Sequence, residues 1–258
     1  MSIKTVNPAT NEKLKSFDEM SKDEIETVIN QSDITYQSWR KTTYKQRSEL
    51  LHKVAQILRI RKENLAELIT TEMGKLIGES KAEIELSADI FDYYAENAEK
   101  FLANKILRPK YGEALIRYSP IGVLLGVQPW NFPFYQVARF AAPNIMIGNT
   151  ILLKHASNVP QCGIALSEIF KEAGAPHGLY INLLIPGNKI SRLLADERIK
   201  GASLTGSEQA GASLAEAAGK NIKKSVLELG GSDPFIVLDD ANIDKTIYWA
   251  VIARMNNT

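Results

Sequence analysis

The feature that most constrains this chain is an alternation that begins at residue 121. Short apolar runs at 123–127, 151–153, 181–185, 202–204, 225–227 and 235–238 are mostly separated by segments with helical spacing, at 135–145, 160–173, 189–196 and 209–219. The runs are apolar at successive positions rather than at alternate ones. They therefore predict strands buried on both faces, which is the signature of a parallel sheet. Strands of this kind joined through helices give an α/β fold with a helical layer on each side of the sheet.

Upstream of the alternation the first hundred residues predict helices. Ser21 and Glu24 have the spacing of a capping box, and Ile25, Val28 and Ile29 follow at helical spacing. A second stripe runs through Leu50, Leu51, Val54, Ile57 and Leu58 and continues through Leu65, Leu68 and Ile69, with Gly74 and Gly78 interrupting it. A third carries Ile84, Leu86, Ile90, Tyr94, Ala98 and Phe101. Between 106 and 118 the pattern changes. Pro109, the turn-like Tyr111-Gly112-Glu113, and then Leu115, Ile116 and Tyr118 predict a β-ribbon. Such a ribbon is marginal alone and needs a partner surface. At the far end Ile243–Met255 has a helical pattern, and Asn256, Asn257 and Thr258 follow without a closing cap.

Composition narrows the function classes. Lys+Arg 31 against Asp+Glu 30 leaves a net charge of +1, which argues against nucleic-acid binding by bulk charge. One cysteine, Cys162, excludes an intrachain disulfide framework and a thiolate metal cluster. His52, His155 and His177 show no ligand spacing, so no metal is expected. The longest apolar stretch, 121–127, is far too short for a membrane span, and the first residues carry no signal-peptide core. The expectation is a cytoplasmic protein.

The candidate chemistry sits at the ends of the predicted strands, where open α/β sheets place ligands. No Gly-x-Gly-x-x-Gly follows the first strand. Instead the chain enters Gln128-Pro129-Trp130-Asn131-Phe132-Pro133, which reads equally well as a ligand-binding turn or as a rigid turn with Trp130 in the core. The second strand ends at Lys154, followed by His155-Ala156-Ser157. That lysine could reach ribose or phosphate, or simply be solvated. Leu204-Thr205-Gly206-Ser207 opens a helix whose amides could face a phosphate, though an ordinary helix start has the same form. Leu227-Glu228-Leu229-Gly230-Gly231 places a carboxylate between two leucines. Partial desolvation there would raise its pKa and suit a general base, whereas a lone strand-end Glu is usually just solvated.

The ordered set is more specific than any member. PWNFP, then K-x-A-S, then L-T-G-S, then E-L-G-G resembles the aldehyde dehydrogenase superfamily. The resemblance extends from Asn7-Pro8-Ala9-Thr10 through Glu72-Met73-Gly74-Lys75 to the last residue. Around Glu228 the run LELGGSDPFIVLDDANID is most similar to the succinate-semialdehyde dehydrogenase branch. The resemblance implies an NAD(P)-binding domain over 1–104 and 119–230, an oligomerisation ribbon over 105–118 that pairs with a neighbouring subunit, and the start of a catalytic domain over 231–258. It implies oxidation of an aldehyde through a cysteine thioester, with succinic semialdehyde as the substrate and a neutral aliphatic aldehyde as the alternative. Asn131 would donate to the oxyanion and Glu228 would be the general base. Trp130, Asn131, Lys154, Ser157, Gly206, Ser207 and Leu229 would line the cofactor site. Ser157 stands where many NAD-preferring relatives carry an acidic residue, so NADP is expected to bind as well as NAD. The family nucleophile lies in a Gly-Gln-x-Cys box just beyond a segment like Asn256-Asn257-Thr258. The chain as written is therefore expected to lack its nucleophile and to be inactive alone, and Cys162 is no substitute. The alternative is an NAD(P)-binding or interaction module without chemistry.

Overall fold

The computed structural model describes residues 2–255. The expected Asn256-Asn257-Thr258 ending lies outside those residues. The chain opens with a hairpin, not a helix. Ser2–Val6 (β1) pairs antiparallel with Lys13–Asp18 (β2). This departs from the all-helical reading of the first hundred residues, and the reason is a period too short to register against longer stripes. Only Ile3 and Thr5 of β1 point inward, with exposed residues between them.

The helical layer follows. Lys22–Trp39 (α1) starts at the expected capping box of Ser21 and Glu24. The single long second stripe is in fact two helices, Tyr44–Ile60 (α2) and Lys62–Met73 (α3), which break at Arg61. Of the two glycines only Gly74 interrupts, as a left-handed cap at φ 87°. Gly78 lies inside the first turn of Ile77–Phe101 (α4). The predicted ribbon is present as Lys105–Leu107 (β3) against Ala114–Ile116 (β4).

The alternating region builds Val123–Gln128 (β5), Tyr135–Ile147 (α5), Thr150–His155 (β6), Pro160–Glu172 (α6), Tyr180–Asn182 (β7), Ile190–Ala195 (α7), Ile199–Thr205 (β8), Glu208–Lys220 (α8) and Lys224–Glu228 (β9). The strands form one sheet in the order β7-β6-β5-β8-β9, and every pairing is parallel. The α/β expectation holds. On one face α5 and α6 lie between the sheet and α2, α3 and α4, around buried Phe91, Phe134, Ile145 and Phe170. Fully burying one such side chain contributes on the order of 1.5–3 kcal/mol. On the other face α1, α7 and α8 close over Leu125, Leu152 and Leu204. Gly126 lets α5 seat on β5, since a Cβ there would stand 2.5 Å from Phe140.

Two predicted strands differ. The run 181–185 ends its pairing at Asn182, although Leu183 and Ile185 stay buried. The run 235–238 has no regular structure and pairs with nothing among the described residues. Four apolar residues do not define a strand without a neighbouring ladder to satisfy the backbone. Ile243–Met255 (α9) is helical as expected and buries none of its residues.

Candidate active site

The strand order reverses between β5 and β8, because the chain runs outward through β6 and β7 and then crosses back. Ligands of open α/β sheets bind at the carboxyl ends beside such a reversal. Since the sheet is parallel, those ends share one edge. The register sets Lys154 opposite Val127, Val127 opposite Leu204, and Thr205 opposite Glu228. Every predicted site residue therefore lies at or just beyond this edge.

The individual environments separate the open readings. Trp130 is 47% exposed, so it is not a core residue, and Asn131 beside it is half-buried. Lys154 is only 9% exposed. Burial alone pulls its pKa below the ordinary lysine value. A lysine whose stem is buried at a strand end can turn its ammonium toward an incoming phosphate or ribose. Ser157, in the turn after β6, is exposed and brings no carboxylate to that spot. Ser207 is the N-cap of α8, and its Oγ accepts from Ala210 N at 3.3 Å. The half-buried Gly206 ties this turn to the next strand by donating to the Glu228 carbonyl at 3.0 Å. Leu229 lies over α8 where Gly211 has no side chain; a Cβ there would meet it at 2.4 Å. This set suits a dinucleotide, because it offers a strand-end cation, exposed helix-start residues and an apolar platform without an opposing acid.

Glu228 differs from expectation. Its side chain is 44% exposed and forms an ion pair with Arg139 of α5, so the neighbouring leucines do not desolvate it. β9 is an edge strand, and its alternate residues Val226 and Glu228 face the side of the sheet that α5 leaves partly open. There, a cleft of about 300 Å³ is bounded by Gln128, Gln136, Arg139, Thr205 and Glu228. Sequence reasoning missed Arg139. Its only signal was a cation inside an otherwise apolar helical stretch.

Behind the cleft, two helices lack capping side chains of their own. The N-cap positions of α5 and α6 are Phe134 and Val159. Carboxylates from the helical layer do the work. Glu72 of α3 accepts from Gln161 N and Cys162 N at 2.9 and 3.0 Å. Glu83 of α4 accepts from Phe134 N and Tyr135 N at 2.8 and 3.2 Å. Cys162 is buried, and desolvation holds its thiol well above the ordinary range, which fits a packing role and not a nucleophile.

His155 joins the first two strand ends. Its Nε2–H donates to the Pro133 carbonyl at 2.8 Å, and its Nδ1 accepts from Ala156 N at 2.9 Å. The two partners fix a neutral tautomer. Burial pushes its pKa from 6.5 down to about 4. Between those values the unfolded chain binds a proton that the native state refuses, so stability falls as pH drops through this window. The loss should reach roughly 3 kcal/mol by its lower end. Thermal melts of wild type and His155→Gln should diverge above the window and converge toward its acid end. Parallel curves would show that His155 does not titrate this way.

The family follows from the whole chain. Residues 1–258 match the model of the aldehyde dehydrogenase family. The chain belongs to the aldehyde dehydrogenase family. It is 47% identical over 254 residues to the succinate-semialdehyde dehydrogenase (NADP(+)) of Deinococcus radiodurans, covering 98% of this chain and 53% of that protein. It is 46% identical over 261 residues to succinate-semialdehyde dehydrogenase (NADP(+)) 1 of Mycobacterium ulcerans, covering 100% and 57%. Among solved structures it resembles the succinic semialdehyde dehydrogenase of Streptococcus pyogenes in complex with NADP+, with a TM-score of 0.91, 45% identity and coverage of 94% and 54%. The chain thus spans a little over half the length of these relatives. No helix among its described residues is long and apolar enough to cross a membrane.

Proposed function

We propose that this aldehyde dehydrogenase chain is the nucleotide-binding part of an enzyme that oxidises succinic semialdehyde to the dicarboxylic acid with NADP, accepting NAD as well. The observation that carries the reading is Arg139, a cation on the wall of the cleft that also holds Glu228. A semialdehyde with a distal carboxylate needs such a partner, and a neutral aldehyde does not. Arg139 and Glu228 are each more than a third exposed, so their mutual attraction is worth only about 0–1 kcal/mol. An incoming carboxylate can take the guanidinium and release Glu228 to accept a proton from water. Asn131 donates its amide to the aldehyde oxygen as negative charge develops there.

Lys154, Ser157, Gly206, Ser207, Trp130 and Leu229 hold the dinucleotide, which when bound accepts the hydride. The neutral hydroxyl of Ser157 leaves room for a 2′-phosphate without repulsion. The residues over 1–104 and 119–230 form this nucleotide-binding unit, and 231–258 lead toward a catalytic domain. The ribbon over 105–118 exposes Ile106 and Leu115 at 72% and 55%. Its strands pair only with each other among the described residues, which supports homo-oligomerisation through its free edges. A near-neutral composition with one buried thiol supports a cytoplasmic location.

The test begins with the intact mass of the protein expressed from its own gene, followed by steady-state kinetics on that protein. Succinic semialdehyde should be preferred over butanal, and NADP should bind measurably. Arg139→Leu should raise KM for succinic semialdehyde about tenfold to a hundredfold, the size of a lost charged hydrogen bond, and leave butanal unaffected. Equal effects on both aldehydes would defeat the substrate assignment. NAD binding without any NADP affinity would defeat the reading of Ser157.

A further inference from the structure

The turn that carries Asn131 is gripped from behind by groups that never reach the cleft. Lys75 Nζ lies 2.6 Å from Glu83 Oε2, and both side chains are 0% exposed. The other oxygen, Glu83 Oε1, accepts from the backbone amides of Phe134 and Tyr135. The ammonium of Lys75 also stands 3.6 Å from the centroid of the Phe132 ring, a cation–π contact in a dry setting. Phe132 in turn packs edge-on against Tyr135, with centroids 5.4 Å apart. Pro133 is held by His155. Each residue from Phe132 to Tyr135 therefore has a buried polar or aromatic partner, and the stretch begins at the residue after Asn131.

A buried ion pair is a poor way to gain stability, because desolvation cancels much of its attraction. What it does supply is direction. The carboxylate of Glu83 can satisfy both amides only with the first turn of α5 in one place, and Lys75 fixes that carboxylate. We propose that Glu83, locked by Lys75, is a positioning residue that sets the angle at which Asn131 presents its amide to the aldehyde oxygen. The proposal rests on the reading of Asn131 as the oxyanion donor. A donor displaced by about 1 Å loses on the order of a hundredfold in rate, so a rigid anchor for the turn has catalytic consequences without touching substrate.

The experiment uses the protein expressed from its own gene, with succinic semialdehyde and NADP. Two double variants remove the buried charges together, so that neither leaves a lone ion. Lys75→Met with Glu83→Gln keeps a carbonyl oxygen for Phe134 N and Tyr135 N. Lys75→Met with Glu83→Leu does not. The glutamine pair should keep most of kcat, and the leucine pair should lose about tenfold to a hundredfold, with KM for NADP unchanged in both. Each pair is then combined with Asn131→Ala. If Glu83 acts through Asn131, the leucine pair causes no further loss in that background.

Equal kcat for the two pairs would overturn the proposal. So would a loss that multiplies with that of Asn131→Ala, which marks a merely structural role. If the leucine pair does not fold, Glu83→Asp asks the same question, since it keeps the charge but withdraws the oxygen from α5. If Asn131→Ala alone left kcat intact, the oxyanion reading itself would fall, an outcome distinct from either result above.

Discussion

Asn131→Ala should lower kcat by about 10²–10³-fold in the protein expressed from its own gene, the usual cost of removing one side-chain donor to a developing oxyanion. The turn is rigid, with Phe132, Pro133, Phe134 and Tyr135 all anchored. On the proposed reading, the amide would reach the reacting oxygen already oriented. A bond from an oxyanion donor to the carbonyl oxygen strengthens only as that oxygen gains charge, so on this reading the loss should appear in kcat and in kcat/KM together. KM for the dinucleotide should change less than kcat, since other proposed cofactor contacts, Lys154 and Ser207, stand on other strand ends. Asn131→Asp is a sharper probe, because it replaces a donor with an acceptor that repels the oxyanion and should be at least as damaging. A change confined to KM would show that Asn131 binds the ground state and does not stabilise the transition state.

Lys75→Met should be the most destabilising single change in the helical layer, costing about 3–5 kcal/mol. It strands the Glu83 carboxylate, which is already pushed above the usual carboxylate range by desolvation, partly opposed by Lys75 and by the Phe134 and Tyr135 amides. Removing Lys75 raises that pKa further. The native state then binds a proton that the unfolded chain has released, so the variant becomes less stable as pH rises. Thermal melts should show a modest deficit near the acidic end and the full deficit at neutral pH and above, where a loss of this size moves the midpoint by roughly 6–20 °C. Adding Glu83→Gln removes the stranded charge and should restore most of the loss. A deficit independent of pH, or one unrelieved by the second change, would point to lost packing against Phe132 rather than an unpaired carboxylate.

Much of this architecture was legible because it depends on local period. The doubly apolar runs of β5 and β6 and the spacing of α5, α6 and α8 need no knowledge of the rest of the chain to be read. The hairpin β1–β2 was not legible, since Ile3 and Thr5 are a stripe too brief to stand out. The run 235–238 misled for the opposite reason: its residues favour a strand, but a strand exists only where another backbone completes its hydrogen bonds. The candidates that motif order singled out, Asn131, Lys154, Ser207 and Glu228, lie along one edge of the sheet. Their environments were beyond reach, because burial depends on what the rest of the fold lays over a residue. Lys154 proved buried, the reverse of its plain solvated reading, and Glu228 proved open, the reverse of the desolvated reading its flanking leucines suggested.

The sequence by itself determined the parallel α/β sheet, the family and the strand ends at which the candidate site residues gather, because periodicity and motif order are properties of consecutive residues. Only the tertiary structure decided what supports those ends. Phe134 and Val159 cannot cap their own helices, and the carboxylates that do so, Glu83 and Glu72, come from helices far away in the chain. Arg139 faces Glu228 across the cleft for the same reason. Such pairings follow from how layers stack, and no local pattern encodes which distant charge will arrive beside an unsatisfied amide.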